Sequence, residues 1–218
     1  MFTLAEENYL KALFHLENDN EEGISTNAIA EKMKTRPSSA TDMIQKLAEK
    51  KVVSYQKYKG SFLTKKGKFI AANVIRKHRL WEVFLVEKLN FQWDEVHEIA
   101  EQLEHIKSDE LIKRLDAYLD HPDFDPHGDP IPDINGTIKP TEKKLLSELK
   151  KNQRGICVGV KESSSQFLQY LDTRKIGIGT TIKVLDKEDF DESMIIQIGD
   201  HQLQITDKIA NNLYINTH

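Results

Sequence analysis

The 28 residues from His78 to His105, HRLWEVFLVEKLNFQWDEVHEIAEQLEH, carry acids and imidazoles spaced like metal ligands. His78 and Glu82 stand four apart, and His97, Glu101, Glu104 and His105 fall at i, i+4, i+7 and i+8. At 100° per residue those last four project into a helical stripe about 100° wide. A helix face is ordinarily apolar where it is buried and mixed in charge sign where it is exposed. This stripe holds two imidazoles, two carboxylates and no Lys or Arg. Close carboxylates repel unless a proton or a cation lies between them. Spacing alone therefore leaves two readings open: a divalent-cation site of oxygen and nitrogen donors, or a solvated polar face.

A chain of 218 residues is long enough for two or three small domains. The net charge of −4 hides an asymmetry. Residues 25–79 carry 14 Lys and Arg against three acids, a net +11, so the remainder sums to −15. A basic block inside an acidic chain predicts a local polyanion-binding face. Cys157 is the only cysteine, which rules out a disulfide within the chain and suits a reducing compartment. No apolar run approaches the roughly 20 residues of a membrane span. The first residues, MFTLAEENYLKALFHL, are acidic where a signal peptide is basic. A cytoplasmic location without a membrane partner is expected.

Residues 4–17 predict an amphipathic first helix, ended by Asn18-Asp19-Asn20. Ser25-Thr26 is an N-cap signal for TNAIAEKMK, and Pro37 suits the first turn of the next helix, PSSATDMIQKLAEKK. Two short helices joined by a tight turn describe a helix-turn-helix. Ser38, Ser39 and Thr41 are short enough to let the second helix approach a groove floor, and Arg36 and Lys46 flank them for phosphates. Thr26, Pro37 and Asp42 complete the expected DNA-facing set on the two helices. VVSYQKYKGSFLTKKGKFI then predicts a two-stranded wing, with Lys57 and Lys59 near its tip as further DNA contacts.

A dense apolar helix over 67–90, a helix from Trp93-Asp94-Glu95 through His105, and a third capped by Ser108 form a middle domain. Residues 121–140 hold five of the six prolines and are expected to be an extended linker, with His121 and His127 idle in it. TEKKLLSELKKN predicts a short helix or turn. GICVGVKE, TTIKVLD, SMIIQIG and HQLQIT read as strands, with a short helix over SSSQFLQYLDTR and Cys157 in the core. The expected class is mainly α with a C-terminal small SH3-like β-barrel. Its domains are a winged helix-turn-helix at 1–74, a helical metal-binding and dimerisation domain with its Pro-rich linker at 75–140, and a β domain at 141–218.

Taken together, these segments resemble the diphtheria toxin repressor family of metal-dependent transcription regulators, in its three-domain form and on its manganese transport regulator branch. IRKHRLWEVFL is similar to the start of the family's dimerisation helix, and VHEIAEQLEHIKSDEL to its metal-binding helix. GDPIPD resembles a loop of the three-domain members, RPSSATDMIQKL the recognition helix, and KYKGSFLTKKG the wing. The resemblance implies that Glu101, Glu104 and His105 are activating-metal ligands and that His78, Glu82 and His97 serve an ancillary site. Asn8 stands where the family has a first-helix ligand, usually Met or Asp. Lys11 stands where the manganese branch has a Glu, and an ammonium cannot ligate. Gln166 matches a third-domain residue that reaches the ancillary metal, while Ser163 replaces the acid expected three positions before it.

Carboxylate in place of the iron branch's cysteine at Glu101 favours a hard ion, Mn²⁺ or Fe²⁺, with two sites per subunit possible. The implied function is a homodimeric repressor of metal-uptake genes that binds a palindromic operator when metal is plentiful. A winged-helix regulator with a structural metal or none is the first alternative. A di-metal carboxylate enzyme is the second, but the chain has no Glu-x-x-His motif. Nor does it carry a nucleophile triad, a P-loop or a dinucleotide motif, so no enzymatic activity is expected.

Overall fold

The computed structural model describes residues 2–17, 23–56 and 58–217. The expected helix end at Asn18-Asp19-Asn20 and the wing residue Lys57 lie outside the described residues. The chain divides into two compact units. One comprises Met1–Trp81, Glu101–Arg114 and Ile131–Ile138; the other comprises Glu82–Ala100, Leu115–Pro130 and Lys139–His218.

The first unit opens with α1, Leu4–Leu16. Thr3 caps it through a reciprocal box: the Glu6 amide donates to Thr3 Oγ1, and the Thr3 amide donates to Glu6 Oε2. Helices α2, Thr26–Lys32, and α3, Pro37–Glu49, follow. Ser25 Oγ accepts from the Ala28 amide at the start of α2, and Pro37 opens α3 where no amide proton is needed. Between them Lys34 takes a positive φ of 49°, which turns the chain within the four residues that separate the helices.

Leu10 and Leu13 of α1, Ile29 of α2, and Ala40, Ile44 and Leu47 of α3 close one apolar core with Val53 and Leu63. Each fully buried leucine there contributes about 2–3 kcal/mol from apolar area alone. The wing pairs β1, Val53–Gln56, with β2, Gly60–Leu63, antiparallel. Gly60, at φ +100°, lets β2 approach the chain before α2: a Cβ there would stand 2.6 Å from the Ile24 carbonyl oxygen. Reciprocal amide–carbonyl bonds between Ile24 and Ser61, both 2.9 Å, occupy that approach.

Helix α4, Lys65–Leu89, runs without interruption until Asn90 turns out at φ +58°. Helices α5, Val96–Leu103, and α6, Asp109–Tyr118, follow, with the Leu111 amide donating to Ser108 Oγ at the start of α6. The expected single helix through His105 ends two residues early, and Glu104 and His105 lie in the turn beyond it.

Residues 121–140 have no regular element beyond an isolated bridge, but they are not a loose linker. Asp125, His127 and Ile131 are buried. Gly128, at φ +82°, lies so close to the β domain that a Cβ would meet the Val158 carbonyl oxygen at 2.0 Å.

The C-terminal part of the second unit is a six-stranded antiparallel sheet. Its strands are β3, Lys144–Leu145; β4, Arg154–Val160; β5, Thr181–Lys187; β6, Met194–Ile198; β7, His201–Ile205; and β8, Leu213–Asn216. They stand in the order β3-β8-β4-β5-β6-β7. The expected closed barrel is not formed. Strand β3 pairs only with β8, over two residues, and β7 pairs only with β6, so both edges stay open among the described residues. Closure needs a register linking first strand to last, and β3 is too short to supply it. The segment expected to be a short helix or turn supplies β3 and a 3-10 turn, Leu146–Glu148.

Helices α7, Ser165–Thr173, and α8, Asp207–Ala210, cover this sheet. Leu168 and Leu171 of α7 join Cys157, Ile182, Ile196 and Ile215 in a core of their own. Cys157 is 1% exposed, as expected of a core thiol, and burial pushes its pKa up to about 11. No described helix is long and apolar enough to cross a membrane.

Candidate metal centres and nucleic-acid interface

In the first unit, Glu104 is fully buried and gathers its neighbours around two oxygens. His78 Nδ1, from α4, lies 2.6 Å from Glu104 Oε2. Lys11 Nζ, from α1, donates to both Glu104 oxygens at 2.8 Å and to Glu101 Oε1 at 2.5 Å. His105 Nδ1 lies 2.7 Å from Glu7 Oε2, also on α1, while its Nε2 is 3.5 Å from Glu104 Oε1. The stripe lacking a basic residue in the local sequence thus receives its cation from a helix 90 residues away.

Among the described residues, two buried polar atoms of this cluster have no hydrogen-bond partner: Asn8 Oδ1 and His105 Nε2. Asn8 sits one turn from Lys11 on α1, hence on the same helix face. A buried amide oxygen left unpaired costs about 1–3 kcal/mol, a cost that a cation removes. An orphaned amide oxygen, an orphaned imidazole nitrogen and two carboxylates are a donor set that a hard divalent ion fits.

In the second unit, Glu82, Asp125 and His127 bring ligand atoms within 4.8 Å of one another, and all three are buried. His127 Nε2 lies 2.8 Å from the Trp93 carbonyl oxygen. A carbonyl can only accept, so Nε2 carries a proton and Nδ1 is the nitrogen turned to Glu82 Oε2, 3.6 Å away. Burial disfavours charging this ring. The hydrogen bond to Glu82, the charges of Glu82 and Asp125, and the Trp93 carbonyl outweigh burial and push the pKa up to about 9. Asp125 Oδ1 accepts from the amides of His127 and Asp129, which fixes the turn. His97 Nδ1 lies 3.4 Å from Glu82 Oε1.

The Trp93 ring stacks on His127 at 6.1 Å, and its Nε1 donates to the Asp172 carboxylate of α7. Ser165 and Gln169 donate to Asp94 at 2.7 Å each, so α7 grips the turn that orients His127. Gln166, between them, is exposed.

On the outer side of the helix-turn-helix, Arg36, Pro37, Ser38, Ser39, Thr41, Asp42 and Lys46 are all exposed, while Ala40, Ile44 and Leu47 of the same helix are buried. Thr26 is half-buried at the first position of α2, and Lys59 is exposed at the wing tip. Thr41 Oγ1 donates back to the Pro37 carbonyl at 2.9 Å.

Three family models divide the chain among them. The iron-dependent repressor N-terminal DNA-binding domain matches residues 1–61, and the iron-dependent repressor metal-binding and dimerisation domain matches 64–133. The FeoA domain matches 144–217. A helix-turn-helix transcriptional regulator of Oceanobacillus iheyensis, MntR, is 30% identical over 145 residues, which span 66% of this chain and 96% of the relative. The chain belongs to the iron-dependent repressor family.

The sequence motifs point to this same family. Some other relatives are matched over only part of their length. A probable metal transport system membrane protein of Chlamydia trachomatis is 35% identical over 137 residues, 61% of this chain but 30% of that protein. The iron-dependent repressor IdeR of Mycobacterium tuberculosis is 32% identical over 130 residues, 59% of this chain and 55% of that protein. Among solved structures, a manganese-dependent transcriptional repressor in complex with manganese superposes with a TM-score of 0.87 at 30% identity, covering 98% of this chain and 100% of that one.

Within each unit the structure brings sequence-predicted residues together. Glu101, Glu104, His105 and His78 come together in the first unit, with Asn8 on the helix that meets them. Glu82 and His97 come together in the second. Sequence reasoning missed Asp125 and took His127 for an idle loop residue, although it is 4% exposed. The available signal was the run DPHGDP, whose acid, imidazole and turn residues are compressed into six positions.

Proposed function

We propose that this protein is a metal-dependent, DNA-binding transcriptional repressor of metal-ion homeostasis, acting as a homodimer and not as an enzyme. Residues 1–74 are its reading head, 75–140 its metal-binding and dimerisation part, and 141–218 its β domain. The observation that carries this is the convergence of Glu101, Glu104 and His105 on α1, where Asn8 Oδ1 is buried and unpartnered.

Held by Glu101, Glu104, His105 and Asn8, Mn²⁺ or Fe²⁺ would supply the positive charge that binds the acid-rich turn to the first helix. Glu82, Asp125 and His127, with His97 beside Glu82, form a second position for such an ion. Fixing α1 restricts the motion of the helix-turn-helix it packs against. That lowers the entropy lost when α3 enters a major groove, which is allostery by ordering. Arg36, Lys46, Lys57 and Lys59 serve phosphates, and Thr26, Ser38, Ser39, Thr41 and Asp42 lie on the face turned to DNA. Exposed Leu89 of α4 and Tyr118 of α6 supply apolar surface for pairing two copies. A palindromic operator with half-sites about 34 Å apart follows from a two-fold dimer. The location this implies is the cytoplasm.

The test uses a duplex selected from a random-sequence pool with Mn²⁺ present. Its affinity, read at fixed salt because phosphate contacts make it salt-dependent, is expected to fall about 5- to 150-fold when the metal is chelated. Glu101→Ala/Glu104→Ala protein is expected to lose that difference. Unchanged metal dependence in the double variant would remove the site assignment.

A further inference from the structure

We propose that Lys11 is a built-in competitor for the activating ion: its ammonium clamps Glu101 and Glu104 when metal is scarce and must withdraw before a divalent ion can be held. The inference rests on the metal-site reading above and deepens it by assigning the element that sets the metal threshold.

Geometry carries the argument. Lys11 Nζ engages both oxygens of Glu104 and one of Glu101. An ion held by those carboxylates needs the same oxygen lone pairs. The second Glu104 oxygen is further shared with His78 Nδ1, so Glu104 has little acceptor capacity left for an added ligand. The side chains of Lys11 and Glu104 are 13% and 0% exposed, so the pair is largely desolvated and its separation is costly.

The way out lies on the other carboxylate. Glu101 is 37% exposed, and a four-carbon stem can carry the ammonium from that side to water. Lys11 also ties α1 to the acid-rich turn in the metal-free protein. A divalent ion would replace this tether, held on a flexible four-carbon stem, with a shorter one through Asn8, and the added ordering of α1 would come from that difference. A monovalent, covalently attached cation is present at high effective concentration, so it raises the ion concentration needed for occupancy without abolishing binding.

The experiment compares wild-type, Lys11→Met and Lys11→Gln full-length proteins. Mn²⁺ affinity is measured by competition with a chromophoric chelator, and the metal-free melting temperature by calorimetry. Both variants are expected to bind one Mn²⁺ about 10-fold or more tightly than wild type, on the scale of one partly buried ion pair. Their metal-free forms are expected to melt lower, and Mn²⁺ to raise their melting temperature more than it raises that of wild type. The Gln amide can still donate to the carboxylates, so this variant keeps the test open if the Met variant does not fold. Equal or weaker Mn²⁺ binding by variants whose wild-type parent binds the ion would overturn the role of Lys11 alone. If neither parent nor variants bind Mn²⁺, the metal-site reading falls and takes this inference with it.

Discussion

Glu104 has no exposed surface, and both its oxygens are engaged by Lys11. One residue therefore answers for the metal-free stability of the cluster as well as for its chemistry. Truncating it leaves the Lys11 ammonium, at 13% side-chain exposure, with only Glu101 of its two carboxylates and takes one partner from His78. Glu104→Ala is expected to destabilise the metal-free protein by about 3 kcal/mol, read as a lower urea midpoint at unchanged slope. Glu101→Ala is expected to cost much less, because Glu101 is partly open to water and surface ion pairs contribute little. Equal losses in the two variants would mean that Glu104 is not the anchor. The candidacy of Glu104 as a ligand is legible from its spacing to Glu101; its burial is not, because no local pattern says that α1 will cover it.

At the scale of elements, α1 is braced at two points. Its acid-rich first turn meets the end of α3 through Glu6 and Lys50, 2.6 Å apart, and Glu7 of that turn with Lys11, one turn on, meets the Glu101–His105 segment. The hydrogen bond from Lys50 is the main reason that Glu6 titrates below the ordinary carboxylate range, ahead of burial, which opposes it. A carboxyl lowered in the folded state contributes stability that is full above its unfolded pKa, near 4.5, and is lost as pH falls through the lowered value. Glu6→Gln is therefore expected to weaken the protein at neutral pH and to flatten the decline of its melting temperature on acidification below about pH 4.5. An unchanged acid limb would show that the contact does not hold in solution. The start of α2 follows from the Ser25 cap read in sequence, and the start of α1 from an equally local box of Thr3 with Glu6. The brace between α1 and α3 joins residues 44 positions apart, and only packing brings them together.

At the scale of the whole molecule, two apolar cores serve two units, and α4, α5 and α6 each contribute residues to both. In the second unit, Leu89 and Tyr118 are 51% and 65% exposed, and Phe84 packs at 6.4 Å from the Tyr118 ring. Large apolar side chains left open on α4 and α6 are candidates for an interface. Leu89→Glu/Tyr118→Glu protein is expected to sediment as a monomer at concentrations where wild type sediments as a dimer, and to lose tight binding to a two-half-site duplex. A variant that stays dimeric would move the pairing surface elsewhere.

Periodicity, caps and turn residues determined by themselves the winged helix-turn-helix, the long fourth helix and the strand-rich tail, because each depends on neighbours within a few positions along the chain. Clustered acids and imidazoles between His78 and His105 were likewise enough to single out a candidate metal-binding segment, with a solvated polar face as the other reading. Tertiary structure alone brought Glu104 to His78 in the first unit and His97 to Glu82 in the second. It turned a supposed idle loop into the wall of the Glu82 cluster by burying Asp125 and His127 against the β domain. It also left that domain's sheet open, since closure depends on pairing between its first and last strands. Above all it delivered Lys11 to Glu101 and Glu104. A charge balance that looks unmet within one helix can be met from another, because folding sets distances that sequence separation does not encode.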